Sequence, residues 1–163
     1  MSTQLNPAFE PVRYEDGRSF TIAGFGEQYT LHTNKAIPAL WQRFAPQIGH
    51  VPGQVDDYAY GVCCNFDGNG GFLYIAGVEV VNPRLLPETY VYKALEPQRY
   101  AVFEHHGRLA TLGHTFEKIW KQWMPSSGET PADAPEFERY AKDFDPDAAH
   151  AVLEIWIPLK RNR

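Results

Sequence analysis

The sequence predicts an α+β fold built from a duplicated β-α-β-β unit, and two observations lead to this prediction. The first is an internal repeat: LWQRFAP at 40–46 returns as IWKQWMP at 119–125, so that Trp41 matches Trp120. The second is the order of patterns around each copy, which is a strand, a helix and then two further strands. Two such units side by side predict a mostly antiparallel sheet with both helices on one face.

The first unit opens with RSFTIAGFGEQY, whose apolar and polar residues alternate as in a half-buried strand. A helix is predicted next, with Thr33 or Asn34 as its N-cap and Pro46 at its end. Its apolar stripe consists of Ile37, Leu40, Trp41, Phe44 and Ile48. The strands YAYGVCCNF and FLYIAGVEVV complete the unit, joined by DGNGG, whose asparagine and glycines tolerate the positive φ of a tight hairpin.

The second unit repeats this order with the strand QRYAVFEHH, the helix LATLGHTFEKIWKQW and the strands PEFERYAKDF and AHAVLEIWIPL. The apolar stripe of its helix consists of Leu109, Leu112, Phe116, Ile119, Trp120 and Trp123. The segment NPRLLPETYVYKALEP joins the two units. We expect one domain over residues 1–163, with pseudo-repeats at about 9–81 and 97–160 and a ligand groove where the halves meet.

Composition and charge argue against several classes of protein. A chain of 163 residues with 44% hydrophobic content can bury a core without a disulfide or a metal. The net charge is −5 and no basic cluster falls on one predicted face, which argues against direct binding of nucleic acid. The N-terminus lacks the pattern of a signal peptide, and no segment approaches the roughly 20 apolar residues of a membrane span. We therefore expect a cytoplasmic protein with no membrane partner.

The cysteines and histidines form no recognisable reactive or metal-binding motif. Cys63 and Cys64 are adjacent in a predicted strand, so their side chains point to opposite faces. Structural thiols are the prediction, and a reactive or metal-binding pair is the alternative. No Cys or carboxylate completes a metal-ligand spacing with His105, His106 and His114, so neither a metal site nor a cofactor is expected.

The last strand places a carboxylate in apolar surroundings. In AVLEIWIPL, Leu153 and Ile155 belong to a core face, whereas Glu154 and Trp156 share the other face. An unpaired buried charge is costly. Glu154 is therefore exposed at an edge, paired with an Arg or Lys, or placed at the base of an aromatic pocket that receives a cation.

PEFERY supplies a second candidate pair. Glu138 and Tyr140 point the same way along a strand, and Glu136 is predicted to be a solvated residue at the strand's start. Aromatic faces attract cations by about 0.5–2 kcal/mol each, and a carboxylate in the same site adds direct attraction. The aromatic residues predicted to complete the pocket are Phe103, Trp120, Tyr60 and Tyr74, with a purely core role as the alternative for the tryptophan stripe of the second helix.

Several segments together resemble a known family. YAVFEHHG, FEKIWKQWMPSSGE, PEFERY and LEIWIPL, with FLYIAGVEV in the first half, resemble the GyrI-like small-molecule-binding family. This family comprises the effector-binding domains of AraC-type and MerR-type multidrug-responsive regulators. The resemblance spans nearly the whole chain, and it implies a duplicated β-α-β-β (SHS2-like) fold with a pocket at the pseudo-twofold junction.

The resemblance also implies site residues. In the family, a glutamate and a nearby aromatic residue in the last strands hold cationic drugs; these positions resemble Glu154 and Trp156, with Glu138 and Tyr140 as second choices. Many relatives carry Tyr where this chain has Trp156, which keeps a cation-attracting face but loses a hydroxyl. The family's regulators carry an upstream helix-turn-helix. Because the repeats fill almost all 163 residues, we expect a stand-alone protein that does not bind DNA by itself.

Three functions follow as hypotheses. The leading one is non-enzymatic binding of amphiphilic cationic small molecules, with a separate regulator or a second copy of the chain as the candidate protein partner. The second is hydrolysis of strained, cyclopropane-bearing toxins, with Glu154 as the catalytic group. The third is a protein-interaction role of the gyrase-inhibitor type.

Overall fold

The structure is a computed structural model that describes residues 9–161. Its strands in chain order are β1 (Arg13–Gly17), β2 (Phe20–Tyr29), β3 (Ala59–Cys64), β4 (Phe72–Val80), β5 (Val91–Leu95), β6 (Gln98–His106), β7 (Glu136–Tyr140) and β8 (Val152–Leu159). The helix α1 (Ile37–Phe44) lies between β2 and β3. A second helical stretch lies between β6 and β7 and consists of α2 (Leu112–Glu117), a π-helical segment (Lys118–Trp123) and α3 (Met124–Ser127).

The eight strands of the described residues form one sheet in the order β1-β6-β8-β7-β3-β4-β2-β5. Every neighbouring pair is antiparallel. Strands β2, β3 and β4 form one block with α1, and β6, β7 and β8 form a second block with the second helical stretch. The blocks meet through β3 and β7 at the centre of the sheet. The predicted α+β fold of two β-α-β-β units is thus confirmed.

The edge strands are an addition to the predicted fold. The sequence pattern predicts no strand at residues 13–17, and it assigns β5 to the segment that joins the units. In the structure, β1 precedes the first unit but pairs with β6 of the second, and β5 precedes the second unit but pairs with β2 of the first. Each edge strand therefore ties one unit to the other.

One predicted helix boundary is wrong. The second helical stretch continues past Trp123 to Ser127, so that Pro125 lies within it, just after the π-helical segment. Gly128 ends this stretch with a φ of 77°, a conformation that glycine adopts without strain. In the first unit, Thr33 occupies the predicted N-cap position, before the 3₁₀ turn Asn34–Ala36 that leads into α1. Its side chain caps no helical N–H, and its Oγ1 instead accepts a hydrogen bond from the Thr30 N–H at 2.8 Å.

The two faces of the sheet are covered differently. Both helical stretches pack on one face, where the predicted core residues of β8, such as Leu153 and Ile155, are buried. The cluster on the opposite face contains no helical residue. Phe20 of β2 and Phe137 of β7 have ring centroids 5.8 Å apart, although two strands lie between β2 and β7 in the sheet. The sheet therefore curls towards this face, and its aromatic side chains shield one another.

No helix within residues 9–161 is long and apolar enough to cross a membrane. Over the same range, no group of three or more His, Cys, Asp or Glu side chains is arranged to hold a metal ion. Cys63 and Cys64 are free thiols on opposite faces of β3. The expectation that the N-terminus is not a signal peptide concerns residues 1–14, of which residues 1–8 lie outside the described part of the chain.

Candidate functional site

A groove runs between α1 and the second helical stretch, above the centre of the sheet where β3 and β7 meet. Side chains divide the groove into two cavities. The first, which we call the acidic chamber, has a volume of about 530 Å³, and its walls include Ile37, Cys63, Tyr74, Phe116, Trp120, Glu136 and Glu138. The second, which we call the apolar chamber, has a volume of about 440 Å³, and its walls include Trp41, Ile48, Leu109, Tyr140 and Phe144.

Glu138 lies in the middle of β7, lines the acidic chamber and is only 7% exposed. Its Oε1 accepts hydrogen bonds from Tyr74 Oη at 3.0 Å and from Tyr140 Oη at 2.6 Å. Its Oε2 accepts none from the described residues. Since no fully buried side-chain N or O atom among them lacks a partner, Oε2 must face the chamber. The residues that line this chamber include no Lys, Arg or His, so Glu138 has no basic partner there.

Burial raises the pKa of both carboxyl groups in the acidic chamber. For Glu138, desolvation raises the pKa, and the hydrogen bonds from Tyr140 and Tyr74 offset this in part. For Glu136, desolvation and the nearby Glu138 charge raise the pKa to about 7. The prediction of a solvated Glu136 is therefore wrong, because this side chain lines the chamber and is partly buried. The charge of the chamber consequently changes near neutral pH.

Gly61 of β3 makes room for the Glu138 carboxylate. The two residues are direct partners across the strand pair at which the units meet. A Cβ atom at position 61 would lie 2.7 Å from Glu138 Oε1 and closer still to Tyr74 Oη. A larger residue would therefore displace both groups, and glycine allows them to meet on the floor of the groove.

Trp41 of α1 forms the wall between the two chambers. Its Nε1–H donates a hydrogen bond to Tyr74 Oη at 2.9 Å, and its ring packs edge-on against Tyr140 with the centroids 5.4 Å apart. Tyr74 faces the acidic chamber and Tyr140 the apolar chamber. One layer of side chains thus separates the cavities, and hydrogen bonds run from Trp41 through Tyr74 to Glu138.

Glu154 lies on the other face of the sheet. The register of β7 and β8 pairs Glu138 with Ile155 and Arg139 with Glu154. Because paired residues share a face, Glu138 lies on the face covered by the helices, and Glu154 lies beside Arg139 on the opposite face. The two candidate glutamates are therefore not members of one site.

Glu154 has two basic partners. Its Oε2 lies 2.9 Å from Arg13 Nη1, and its Oε1 lies 3.0 Å from Arg139 Nη2. Trp156 Nε1–H also donates to Oε1 at 3.0 Å. Burial by itself raises the pKa of Glu154, but the hydrogen bonds from Arg13 and Trp156 and the charge of Arg139 outweigh burial, so the pKa is lowered. A cavity of about 340 Å³ lies nearby, lined by Phe20, Tyr60, Tyr100, Phe137, Arg139 and Trp156 among others, but not by Glu154.

A comparison with protein families identifies the class of this fold. The family model of the GyrI-like small molecule binding domain matches residues 11–160, which is nearly the whole chain. The chain belongs to the GyrI-like family. The family resemblance predicted from the sequence motifs is confirmed by this match.

Individual relatives of this GyrI-like chain include transcriptional regulators. The transcriptional regulator BrlR of Pseudomonas aeruginosa is 30% identical over 150 residues, which are 91% of this chain and 55% of BrlR. The chain thus spans about half the length of this curated relative. The structure of SAV2435 bound to tetraphenylphosphonium has a TM-score of 0.76 and 24% identity, covering 91% of this chain and 93% of SAV2435. An integron cassette protein of Vibrio cholerae has a TM-score of 0.69 and 21% identity, and the match covers 93% of this chain and 97% of the cassette protein.

Four of the site residues predicted from the sequence meet in the groove of this GyrI-like domain. Glu138, Tyr74 and Trp120 line the acidic chamber. Tyr140 lines the apolar chamber and also donates its hydroxyl to Glu138. Trp120 belongs to the π-helical segment and is 38% exposed, so its indole is available to a ligand.

The other four predicted residues lie elsewhere in the GyrI-like fold. Glu154 is ion-paired on the opposite face, and Trp156 and Tyr60 line the cavity on that face. Phe103 is fully buried beneath the second helical stretch, stacked on Phe9 with a centroid distance of 5.4 Å. These positions place all four residues outside the groove.

Trp41 and Glu136 are among the groove residues that sequence reasoning missed. The internal repeat contained the signal for the first, because it matches Trp41 to Trp120, which the sequence analysis does assign to the pocket. Strand parity contained the signal for the second, because Glu136 lies two residues before Glu138 on the same face of β7.

Proposed function

We propose that this GyrI-like domain binds organic cations with large apolar bodies, and that the acidic chamber holds them with Glu138 as the counter-ion. The single observation that carries the proposal is the environment of Glu138. The carboxylate is buried, held by two tyrosine hydroxyls and free of any basic partner in the described chain, and its Oε2 faces a cavity. A buried carboxylate without a cationic partner is costly, and a bound cation relieves that cost.

The walls of the acidic chamber suit an apolar body around the charge. Phe116 and Trp120 of the second helical stretch, Phe72 of β4 and Ile37 of α1 face the cavity. Aromatic faces attract cations more strongly when water is excluded, and apolar walls bind aryl or alkyl groups through the hydrophobic effect. Glu136 adds a second carboxylate to the same wall. The chamber therefore combines the charge and the apolar surface that a lipophilic cation requires.

The same reasoning argues against Glu154 as the carboxylate that binds the cation. Two guanidinium groups already lie within 3.0 Å of its oxygens, so an incoming cation would have to displace them. The proposal that cations bind an aromatic pocket with a buried glutamate is therefore kept, but Glu138 takes the role assigned to Glu154. The relative SAV2435, whose structure was solved with tetraphenylphosphonium bound, supports a cation of this type as the probe.

The proposal is tested by titrating tetraphenylphosphonium into the wild type, Glu138→Gln and Glu154→Gln with isothermal titration calorimetry. Glutamine keeps the acceptor for the tyrosine hydroxyls but loses the charge. Truncating one partner of a buried charge pair costs about 2–5 kcal/mol, so we expect Glu138→Gln to bind at least about 30-fold more weakly. Glu154→Gln serves as the matched control and keeps wild-type affinity.

Equal affinity of the wild type and Glu138→Gln for tetraphenylphosphonium would refute the proposal. If Glu154→Gln alone lost binding, Glu154 would be the counter-ion of the cation, and the site would lie on the opposite face of the sheet. Triphenylphosphine oxide, which has aryl groups but no net charge, provides the ligand control. It should bind Glu138→Gln and the wild type with equal affinity.

The hydrolase hypothesis from the sequence requires a carboxylate that exchanges protons near neutral pH. Glu154 does not meet this requirement, because its pKa is lowered and two arginines hold it. Glu136 meets it better, with a pKa of about 7 at the chamber wall. Hydrolysis of strained electrophiles therefore stays a prediction, with Glu136 in place of Glu154.

A further inference from the structure

The apolar chamber has no role in binding a compact cation at Glu138. It lies on the far side of the Trp41 and Tyr140 wall, between the C-terminal end of α1 and the loop after β7. Two charged residues line it, Asp57 and Lys142, and both are exposed and of opposite sign. The rest of its wall is largely apolar, including Ile48, Leu109 and Phe144. The chamber is therefore a cavity without net charge next to a cavity with two carboxylates.

The wall between the chambers is one layer of side chains, in which Trp41 is less buried than Tyr74 and Tyr140. Trp41 is only partly buried, and its indole makes one hydrogen bond, to Tyr74. Tyr140 is only 8% exposed, whereas Trp41 is less deeply buried, so Trp41 is the more easily displaced of the two rings that meet at the wall. A rotation of the Trp41 side chain would join both cavities into one channel along the groove.

We propose that the apolar chamber is a second subsite that takes the hydrocarbon tail of a long-chain amphiphilic cation, with Trp41 as the gate. This inference rests on the proposed function, because the head group of the same ligand is held at Glu138. The charge distribution sets the orientation: the head group lies with the carboxylates of the acidic chamber, and the tail lies against Ile48 and Phe144. An alkyl quaternary ammonium ion has this chemistry.

The binding affinity should therefore depend on tail length. Each methylene transferred from water to an apolar site raises affinity by up to about fourfold. A compact aryl cation fills only the acidic chamber and gains nothing from the apolar chamber. The two ligand types thus report separately on the two cavities.

The experiment measures dissociation constants for butyl-, octyl- and dodecyltrimethylammonium and for tetraphenylphosphonium, all below micellar concentrations. In the wild type, we expect dodecyltrimethylammonium to bind at least about tenfold more tightly than the butyl compound. Ala45→Trp places an indole in the apolar chamber and should abolish this gain while leaving tetraphenylphosphonium affinity unchanged. Gln42→Trp introduces an indole at an exposed position of α1 outside the chamber. It should keep the wild-type affinities for tetraphenylphosphonium and for the alkyl ammonium ions.

A second variant tests the gate. Trp41→Ala removes the wall, so the gain from butyl to dodecyl should increase relative to the wild type. A crystal structure with a chain brominated at its terminal carbon should place the bromine beside Ile48 and Phe144 by anomalous scattering. A bromine at the outer rim of the acidic chamber, beside Trp120, would overturn the inference.

The outcomes separate the two proposals. If tetraphenylphosphonium binds through Glu138 but tail length has no effect, or has the same effect in Ala45→Trp as in the wild type, the tail subsite is wrong and the cation site stands. If Glu138→Gln binds tetraphenylphosphonium as the wild type does, the cation site is wrong, and the tail subsite that rests on it is wrong as well.

Discussion

Glu136 and Glu138 lie two residues apart on β7, and their proximity in a buried chamber makes ligand binding depend on pH. The pKa of Glu136 is about 7, raised by desolvation and by the Glu138 charge. A bound cation favours ionised carboxylates, so protonation of Glu136 competes with the ligand. The cation should therefore bind more tightly as the pH rises through neutrality.

We predict that the wild type binds tetraphenylphosphonium up to about tenfold more tightly at about pH 8 than at about pH 6, from the linkage of one proton to binding. Glu136→Gln should remove most of this difference. The control is Glu117→Gln at an exposed position, where the carboxylate pairs with Lys121; this variant should keep the wild-type pH dependence. Calorimetric titrations at both pH values provide the measurement, and an unchanged pH dependence in Glu136→Gln would exclude Glu136 as the titrating group.

The stability of the empty protein should change in the opposite direction. The pKa of Glu136 in the folded state lies above the value of about 4.3 for an unfolded chain, so the folded state binds more protons between these values. The contribution of Glu136 to the free energy of unfolding is therefore present at low pH and is lost as the pH rises towards about 7. A bound cation would restore this stability at neutral pH by favouring the ionised carboxylates.

At the scale of secondary-structure elements, Glu154 holds three strands together. It belongs to β8, and its partners Arg13 and Arg139 belong to β1 and β7. Because β1 is an edge strand with one neighbour, β6, this ion pair supplements a short ladder of five paired residues. We infer that the carboxylate singled out by the sequence pattern stabilises the fold through these ion pairs.

Replacing Glu154 by Gln should lower the free energy of unfolding at neutral pH by about 1–3 kcal/mol, because Arg13 and Arg139 lose a partly buried partner. The pKa of Glu154 is lowered in the folded state, so its contribution is present above the unfolded value and disappears as the pH falls through the folded one. Urea unfolding of the wild type and Glu154→Gln should thus differ at about pH 7, and the difference should be smaller at about pH 3, below the unfolded-chain pKa of about 4.3. An equal difference at both pH values would rule out an electrostatic origin.

The elements differ in how far they could be predicted from the sequence. The strands β3, β4, β6 and β8 carry apolar residues on at least one face, and this pattern predicts them. Strand β1 has the sequence RYEDG, whose charged residues show no apolar alternation, and its partner β6 lies more than 80 residues along the chain. Such an edge strand is defined by its pairing and not by local sequence, so the pattern could not reveal it.

The position of the candidate site depended on the register between strands, which the sequence does not state. Parity within β8 correctly separates Glu154 from Leu153 and Ile155, and parity within β7 correctly places Glu138 with Tyr140. Only the pairing of Glu138 with Ile155 shows that Glu138, and not Glu154, shares the face that the helices cover. A shift of one residue in this register would have exchanged their roles.

At the scale of the whole molecule, the groove exists only because both units are folded and docked. The first unit supplies Trp41 and Tyr74, and the second supplies Glu138 and Tyr140. The hydrogen bonds between these groups cross the junction at which β3 pairs with β7. A ligand held there contacts both units and should stabilise the complete fold as one cooperative body.

This cooperativity leads to a prediction for thermal unfolding. A ligand at about 100 times its dissociation constant adds about 2.7 kcal/mol to the stability of the folded state, which corresponds to roughly 5–10 °C for a domain of this size. We expect tetraphenylphosphonium to raise the unfolding temperature of the wild type by this amount, and the protein should still unfold in a single calorimetric transition. Glu154→Gln should show an equal shift from a lower starting temperature. Glu138→Gln at the same ligand concentration, with its at least about 30-fold weaker binding, should show at most about a third of this shift. A split transition, in which only part of the molecule is stabilised, would contradict a site shared by both units. A ligand that contacts one unit alone leaves the other unit free to unfold at its original temperature.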